Sequence, residues 1–308
     1  LTWTIQEPPE SLADEVILAL GRPGRVHLLS NGSNSASVFM RFDAADGQTL
    51  FLKLLDAQRG ETLRCAEQVA SWLGERGVDV VCACIETALP DGRQLWGYPY
   101  HFGRAPAPTE EDLMAVGGAL GRLHQRLAEH PHKKKWLQNT DHRLARLTAL
   151  RHSLAQGKIL AGPHPDKLQR LASDTCIHFE PQHHGEAACR TALHGDLNLF
   201  NMLMADGHCT FLDFEDVFHS VMPPVFDLAT VFERVVVVEG ASVNGDRLLT
   251  ALLGAYEETS GIRVDPRQVA PALRGLALRA LCTLAGSDPA GHDDKEWRKF
   301  FHLMDLSA

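Results

Sequence analysis

The stretch Leu193-His194-Gly195-Asp196-Leu197-Asn198-Leu199-Phe200-Asn201, with Phe211-Leu212-Asp213-Phe214-Glu215 shortly after it, constrains this chain more than any other feature. Between the two, Met202-Leu203-Met204 and Cys209-Thr210-Phe211-Leu212 read as short strands joined by the turn Ala205-Asp206-Gly207-His208. A hairpin brings the residues that flank it to one end. Two carboxylates, Asp196 and Asp213, and one carboxamide, Asn201, are therefore expected on neighbouring loops. An oxygen-only donor set of this kind suits Mg²⁺, which keeps several waters and takes few protein ligands.

Length and charge narrow the setting. A chain of 308 residues is long for one core and suits two lobes. A formal net charge of -9 argues against a nucleic-acid partner. No apolar run reaches the length of a membrane span, and the N-terminus lacks the basic head and apolar core of a signal peptide. The sequence opens at Leu1 and not at Met, so upstream residues are expected. Seven cysteines, odd in number and scattered, point to reduced thiols in a cytoplasm. Cys82 and Cys84 read as small residues facing one side of a strand. His130-Pro131-His132 and His183-His184 lie in polar stretches and read as solvated surface.

Ser11-Leu12-Ala13-Asp14 opens a short helix that Gly21 closes. Three strands follow, at 25–30, 36–42 and 49–55, separated by turns at 31–35 and 45–48. Leu63, Ala66, Ala70 and Leu73 recur at helical spacing within 60–76. Segments 78–85 and 94–102 then complete the sheet. Lys53 sits between apolar neighbours on the third strand, so its charge must reach solvent or be paired. From Glu111 the chain is mostly helical, opening with the stripe Leu113, Val116, Leu120, Leu123 and Leu127. Residues 133–190 hold two further helical patterns and a His-rich loop. Helices near 227–238, 245–260, 266–286 and 291–305 complete the chain, without internal repeats.

The HGDxxxxN string, followed by two apolar residues and Asp213, resembles the catalytic and metal loops of the aminoglycoside phosphotransferase and choline kinase superfamily. Its members share the protein-kinase fold and phosphorylate small molecules. The resemblance implies an α+β, bilobal, protein-kinase-like fold. Residues 1–102 would form a small β-rich N-lobe, a nucleotide-binding antiparallel sheet with one main helix. Residues 103–308 would form a larger, mostly helical C-lobe carrying the loops of 193–215 and the acceptor-site helices. ATP and Mg²⁺ are the implied cofactors. The implied acceptor is a hydroxyl of a small molecule: an antibiotic such as an aminoglycoside, an amino alcohol, a sugar or a hydroxy amino acid.

The resemblance also assigns roles. Asp196 is the base, and Asn201 and Asp213 are the metal ligands. Lys53 holds the nucleotide's phosphates, with Glu67 of the helix as its partner and Glu61 as the competing choice. Backbone N–H groups and Ser33 or Ser35 of the 31–35 turn would contact phosphate, although an ordinary hairpin turn fits these residues nearly as well. The segment Tyr98 to Gly103 is the hinge, where the backbone binds adenine and Tyr98, Tyr100 and Phe102 are the nearby rings. His194 braces the catalytic loop. Asp227, in Phe226-Asp227-Leu228-Ala229, braces the active-site loops, although Asp at a helix start also serves as a plain N-cap. Apart from the resemblance, acidic residues of the C-terminal helices such as Glu233, Glu239, Glu257 and Asp288 could draw in an amine, although on a surface helix such side chains are more often just solvated.

Three rivals remain from the sequence. A protein Ser/Thr kinase is disfavoured because HGD replaces HRD, DFE replaces DFG, and no APE-like element follows Asp213. A catalytically inert nucleotide-binding protein is disfavoured by the joint presence of Lys53, Asp196, Asn201 and Asp213. A metal-dependent hydrolase would have to be built on the sixteen histidines.

Overall fold

The computed structural model describes residues 3–30, 37–184, 190–237, 245–287 and 294–306. Ser33, Ser35, Glu239 and Asp288 lie outside these residues. The chain divides into two compact units, Leu1–Arg104 with Thr210–Glu215, and Ala105–Cys209 with Asp216–Ala308. One is β-rich and the other helical, giving the expected α+β class.

The first unit is a six-stranded antiparallel sheet in the order β1-β2-β3-β4-β6-β5. Its strands are β1 (Thr4–Gln6), β2 (Gly24–Ser30), β3 (Val38–Ala44), β4 (Thr49–Leu55), β5 (Ile85–Ala88) and β6 (Gln94–Pro99). Helix α1 (Glu10–Leu20) links β1 to β2, and α2 (Ala57–Gly74) follows β4. Side chains alternate across β4. Leu50, Leu52 and Leu54 enter a core with Met40, Phe42, Leu95 and Val16 of α1. Phe51 and Lys53 face the other way. There Phe51 stacks on Phe39 at 5.8 Å and lies 6.2 Å from the ring of Tyr98, its cross-strand partner.

Three expectations need correction here. The strand expected at 78–85 is absent; Ile85–Ala88 is the strand, and the chain before it is irregular. The cause is competition for its backbone groups. Val81 N–H donates to Phe211 O, Phe211 N–H donates to Asp79 O, and the Glu67 carboxylate takes the Ala83 N–H. Cys82 and Cys84 consequently do not share a strand face, and Cys84 is exposed. The same bonds explain why Thr210–Glu215 belongs to the first unit, although the sequence reading placed it in the larger lobe.

The second unit is built on α3 (Glu110–Glu129), α4 (Lys133–Ala155), α5 (Pro165–Ser173), α6 (Val225–Phe232), α7 (Gly245–Ser260), α8 (Val269–Gly286) and α9 (Asp294–Leu306). Thr109 caps α3 by accepting the Asp112 N–H. Helices α3 and α7 lie close because α3 presents Gly117 and Gly121. A Cβ on Gly117 would stand 2.3 Å from Leu252 O. A short ladder pairs β7 (Thr191–Ala192) with β10 (Val221–Met222), on either side of the hairpin β8 (Met202–Ala205) and β9 (His208–Phe211). Asp206 and Gly207 turn that hairpin, both with positive φ.

The helix Pro266–Gly286, which contains α8, is long and apolar enough to cross a membrane by length and composition alone, contrary to the sequence reading. In the fold it is a core helix. Leu278, Leu281 and Cys282 are buried with Leu147, Phe179 and Trp297. His130 and His184, expected on the surface, are also buried. His130 stacks on Trp136 at 4.3 Å, and His184 Nε2 lies 2.6 Å from His178 O.

Candidate active site

In the first unit, β4 carries Lys53 and the segment after β9 carries Asp213 and Glu215. Lys53 Nζ lies 2.6 Å from Glu215 Oε1 and 3.1 Å from Asp213 Oδ2. Burial pulls the Lys53 ammonium toward neutrality, but the two carboxylates more than reverse this and its pKa is raised. Arg59, in the first turn of α2, extends the chain of charges. It donates to Glu215 Oε2 at 3.2 Å and to Ser37 Oγ at 3.1 Å. Neither Arg59 nor Glu215 was assigned a role from the sequence.

The expected Lys53–Glu67 pair is not formed. Glu67 accepts the Tyr98 hydroxyl and the Ala83 N–H, each at 2.8 Å. Burial raises its pKa, opposed by those two hydrogen bonds and by Lys53. Tyr98 is held in its neutral form by the same burial and by the charge of Glu67. Glu61, the competing choice, pairs with Arg64 at 2.7 Å. Of the hinge rings, Tyr98 is thus engaged by Glu67. Tyr100 is half-buried, and Phe102 is exposed and meets Tyr100 edge-on at 5.2 Å.

Asp213 has φ of 62°, a left-handed backbone that a residue other than Gly seldom adopts. Such strain gathers where a side chain must be aimed. Asp213 Oδ2 faces Lys53, while Oδ1 is buried without a hydrogen-bond donor. An orphaned carboxylate oxygen is what a hard divalent cation requires, so Asp213 fits the expected metal role.

The second unit holds the other loop. Asp227 is the third residue of α6, but its carboxylate does not cap that helix. Oδ2 accepts the His194 N–H at 2.8 Å, and Oδ1 accepts the Gly195 N–H at 3.1 Å. Behind it, His124 of α3 lies with Nε2 3.1 Å from Asp227 Oδ2 and Nδ1 3.0 Å from the Tyr256 hydroxyl of α7. A buried chain Tyr256–His124–Asp227 therefore fixes the backbone before Asp196. Gly195 is required there: its φ is 86°, and a Cβ would fall 2.2 Å from Ser220 Oγ. His194 is fully buried, and its Nδ1 accepts the Asp196 N–H at 3.4 Å. Its ring is thus engaged with the backbone of the loop.

Asp196 is exposed, and its Oδ2 accepts the side-chain amides of Asn198 at 2.9 Å and Asn201 at 3.2 Å. Asn201 also donates to Asp196 O at 2.8 Å. Its Nδ2 is thereby committed to Asp196, and among the described residues its Oδ1 accepts no hydrogen bond. That oxygen is free for a cation. Asp196 opens on a cavity of about 290 Å³ walled by α4, α6, α8 and α9, with Leu276, Phe300 and Leu303 among its apolar lining. Residues Glu233–Val237 continue α6 as one turn of π-helix, a distortion common near functional sites. Glu233 lines the cavity but is buried and held by Arg234 at 2.8 Å. It is not open to an incoming amine, and Glu257 is an exposed residue of α7.

The profile of the phosphotransferase enzyme family matches residues 26–272. The chain belongs to that family. No curated relative matches it significantly in sequence. Among solved structures, this phosphotransferase-family chain resembles an amicoumacin kinase in complex with AMP-PNP and Ca²⁺, with 15% identity, coverage of 97% of this chain and 92% of that one, and a TM-score of 0.63. It also resembles a macrolide 2′-phosphotransferase from Brachybacterium faecium, with 15% identity, coverage of 96% and 98%, and a TM-score of 0.63. A third is a spectinomycin phosphotransferase in complex with ADP and spectinomycin, with 14% identity, coverage of 99% and 94%, and a TM-score of 0.58. At these identities the likeness is one of fold, and it matches the protein-kinase-like architecture expected from the motif.

Proposed function

We propose that this chain is an ATP- and Mg²⁺-dependent O-phosphotransferase whose acceptor is a hydroxyl of a small molecule. The observation that carries this reading is the exposed Asp196 carboxylate beside a cavity of about 290 Å³. It sits on a loop locked by Asp227 and is steadied by two amides. Phosphoryl transfer needs alignment and charge neutralisation more than covalent help. Asp196 orients the acceptor hydroxyl and takes its proton. Lys53, whose pKa is raised by its two carboxylate partners, supplies the cation, and it shifts from Asp213 and Glu215 toward a nucleotide's phosphates. Asp213 Oδ1 and Asn201 Oδ1, taken each by itself, are oxygens suited to Mg²⁺, which when bound neutralises phosphate charge.

The family match and the nucleotides in the solved relatives support ATP as the donor. The test is an ADP-release screen across small hydroxyl compounds, with Asp196→Ala as the control. We expect turnover in the wild type and a loss of about 10²–10⁴-fold in kcat for the variant, with nucleotide affinity kept. Equal turnover by the variant would refute Asp196 as the base. Nucleotide binding with no transfer to any acceptor would favour the inert binding protein.

A further inference from the structure

Three guanidinium groups reach the wall of the cavity beside Asp196: Arg143 from α4, Arg234 from the π turn after α6, and Arg279 from α8. Two of them are already neutralised. Arg143 Nη1 lies 3.2 Å from Asp216 Oδ1, and Arg234 Nε lies 2.8 Å from Glu233 Oε2. Arg279 is different. Its side chain makes no ion pair and no hydrogen bond among the described residues. It is half-buried in the cavity wall. Burial and the nearby Arg143 push its pKa down to about 10, against the pull of Asp216, Asp227 and Asp196. It therefore stays charged at neutral pH. Lys299 of α9 adds to the positive field. Its pKa is lowered by burial and by Arg234, and it senses Glu233 and Asp196.

A half-buried cation that makes no ion pair is placed to take an arriving anion as its partner. A guanidinium is the side chain best shaped for a bidentate oxygen anion. A polycationic acceptor would meet the repulsion of Arg279 and Lys299 instead. A cavity of about 290 Å³ has room for a molecule of a few carbons.

We propose that the acceptor is a small hydroxyl compound carrying an anionic oxygen group, a carboxylate or a phosphate, which Arg279 binds while Asp196 receives the hydroxyl. This rests on the phosphotransferase reading above. In the step, the acceptor oxygen forms the new bond to the γ-phosphorus and the bond from that phosphorus to the β–γ bridging oxygen breaks. The hydroxyl proton passes to Asp196, and ADP leaves.

The test is binding and turnover with one panel of acceptors, using the full chain saturated with Mg²⁺ and AMP-PNP for binding and with ATP for turnover. The panel holds hydroxy-carboxylates of three to six carbons, sugar phosphates of the same size, neutral polyols, amino alcohols and aminoglycosides. We expect an anionic member to raise the melting temperature and to drive ADP release, with the carboxylate and phosphate arms deciding the anionic group. In Arg279→Gln its affinity should fall by about 10- to 100-fold, and Arg279→Lys should recover part of it. Should Arg279→Gln fail to fold, wild-type selectivity across the panel decides. Failure of every anionic member to bind, or turnover of a neutral or cationic member that Arg279→Gln leaves unchanged, overturns the inference. The phosphotransferase reading fails separately, if the wild type binds no Mg²⁺-nucleotide or transfers phosphate to no member.

Discussion

Lys53 Nζ is held by Glu215 at 2.6 Å, and the Glu67 carboxylate is committed elsewhere, to the Tyr98 hydroxyl at 2.8 Å. Lys53 is thus engaged by the segment carrying Asp213, and α2 contributes through Arg59 rather than through its mid-helix acid.

Glu67→Gln separates these arrangements. The amide can accept the Ala83 N–H and donate to Tyr98, so nucleotide affinity should stay within a factor of about three. A tenfold loss would restore Glu67 as the partner of Lys53. The sign of the pH effect is also fixed. The folded pKa of Glu67 is raised, so its ionised form lowers stability at neutral pH, and that penalty vanishes as pH falls through the folded value toward 4.5. The variant should therefore be the more stable protein at pH 7, with the difference shrinking on acidification in paired denaturant titrations.

Asp213→Asn keeps a residue that tolerates the left-handed backbone but loses the charge on the open oxygen. Nucleotide affinity in the presence of Mg²⁺ should fall about tenfold or more, roughly 1.4 kcal/mol, while affinity without the metal changes little. Calorimetric titration with and without Mg²⁺ reads this directly. Unchanged Mg²⁺ dependence would remove Asp213 from the metal site.

Asp227→Ala leaves the His194 and Gly195 N–H groups and His124 without their acceptor. A loss of about 3 kcal/mol in unfolding free energy is expected. Tyr256→Phe touches only the far end of the chain and should cost about 0.5–1.5 kcal/mol. Equal losses from both would mean that Asp227 does not carry the loop.

Gly117→Ala would press a methyl group into Leu252 O, a backbone atom that cannot step aside. Overpacking of this kind costs about 1–3 kcal/mol, and a melting curve indistinguishable from wild type would show that α3 and α7 lie farther apart than described.

What the sequence showed and what it hid divide along one physical line. The 193–201 loop, the hairpin and the segment of Asp213 were legible because they form one contiguous string with turn chemistry at its centre. Lys53 was legible as a lone charge on an apolar strand. Glu215 was in plain sight, but it was read only as a departure from a kinase triplet. The strand at 78–85 failed because tertiary partners, Phe211 and Glu67, claimed its backbone, which no local pattern reports. His124 sat in a recognised helix, yet its tie to Asp227 depends on three helices meeting. Arg143, Arg234 and Arg279 come from separate segments, and only folding brings them to one wall.

The π turn at Glu233–Val237 has a consequence for how such a pocket is retuned. A wide turn holds one more residue than a regular one, so losing a single residue there would tighten it to a regular turn without unwinding the helix before it. With Arg234 removed, Val235 would take its place in the turn. One codon at this site would trade polar lining for aliphatic lining, a short route from one acceptor to another.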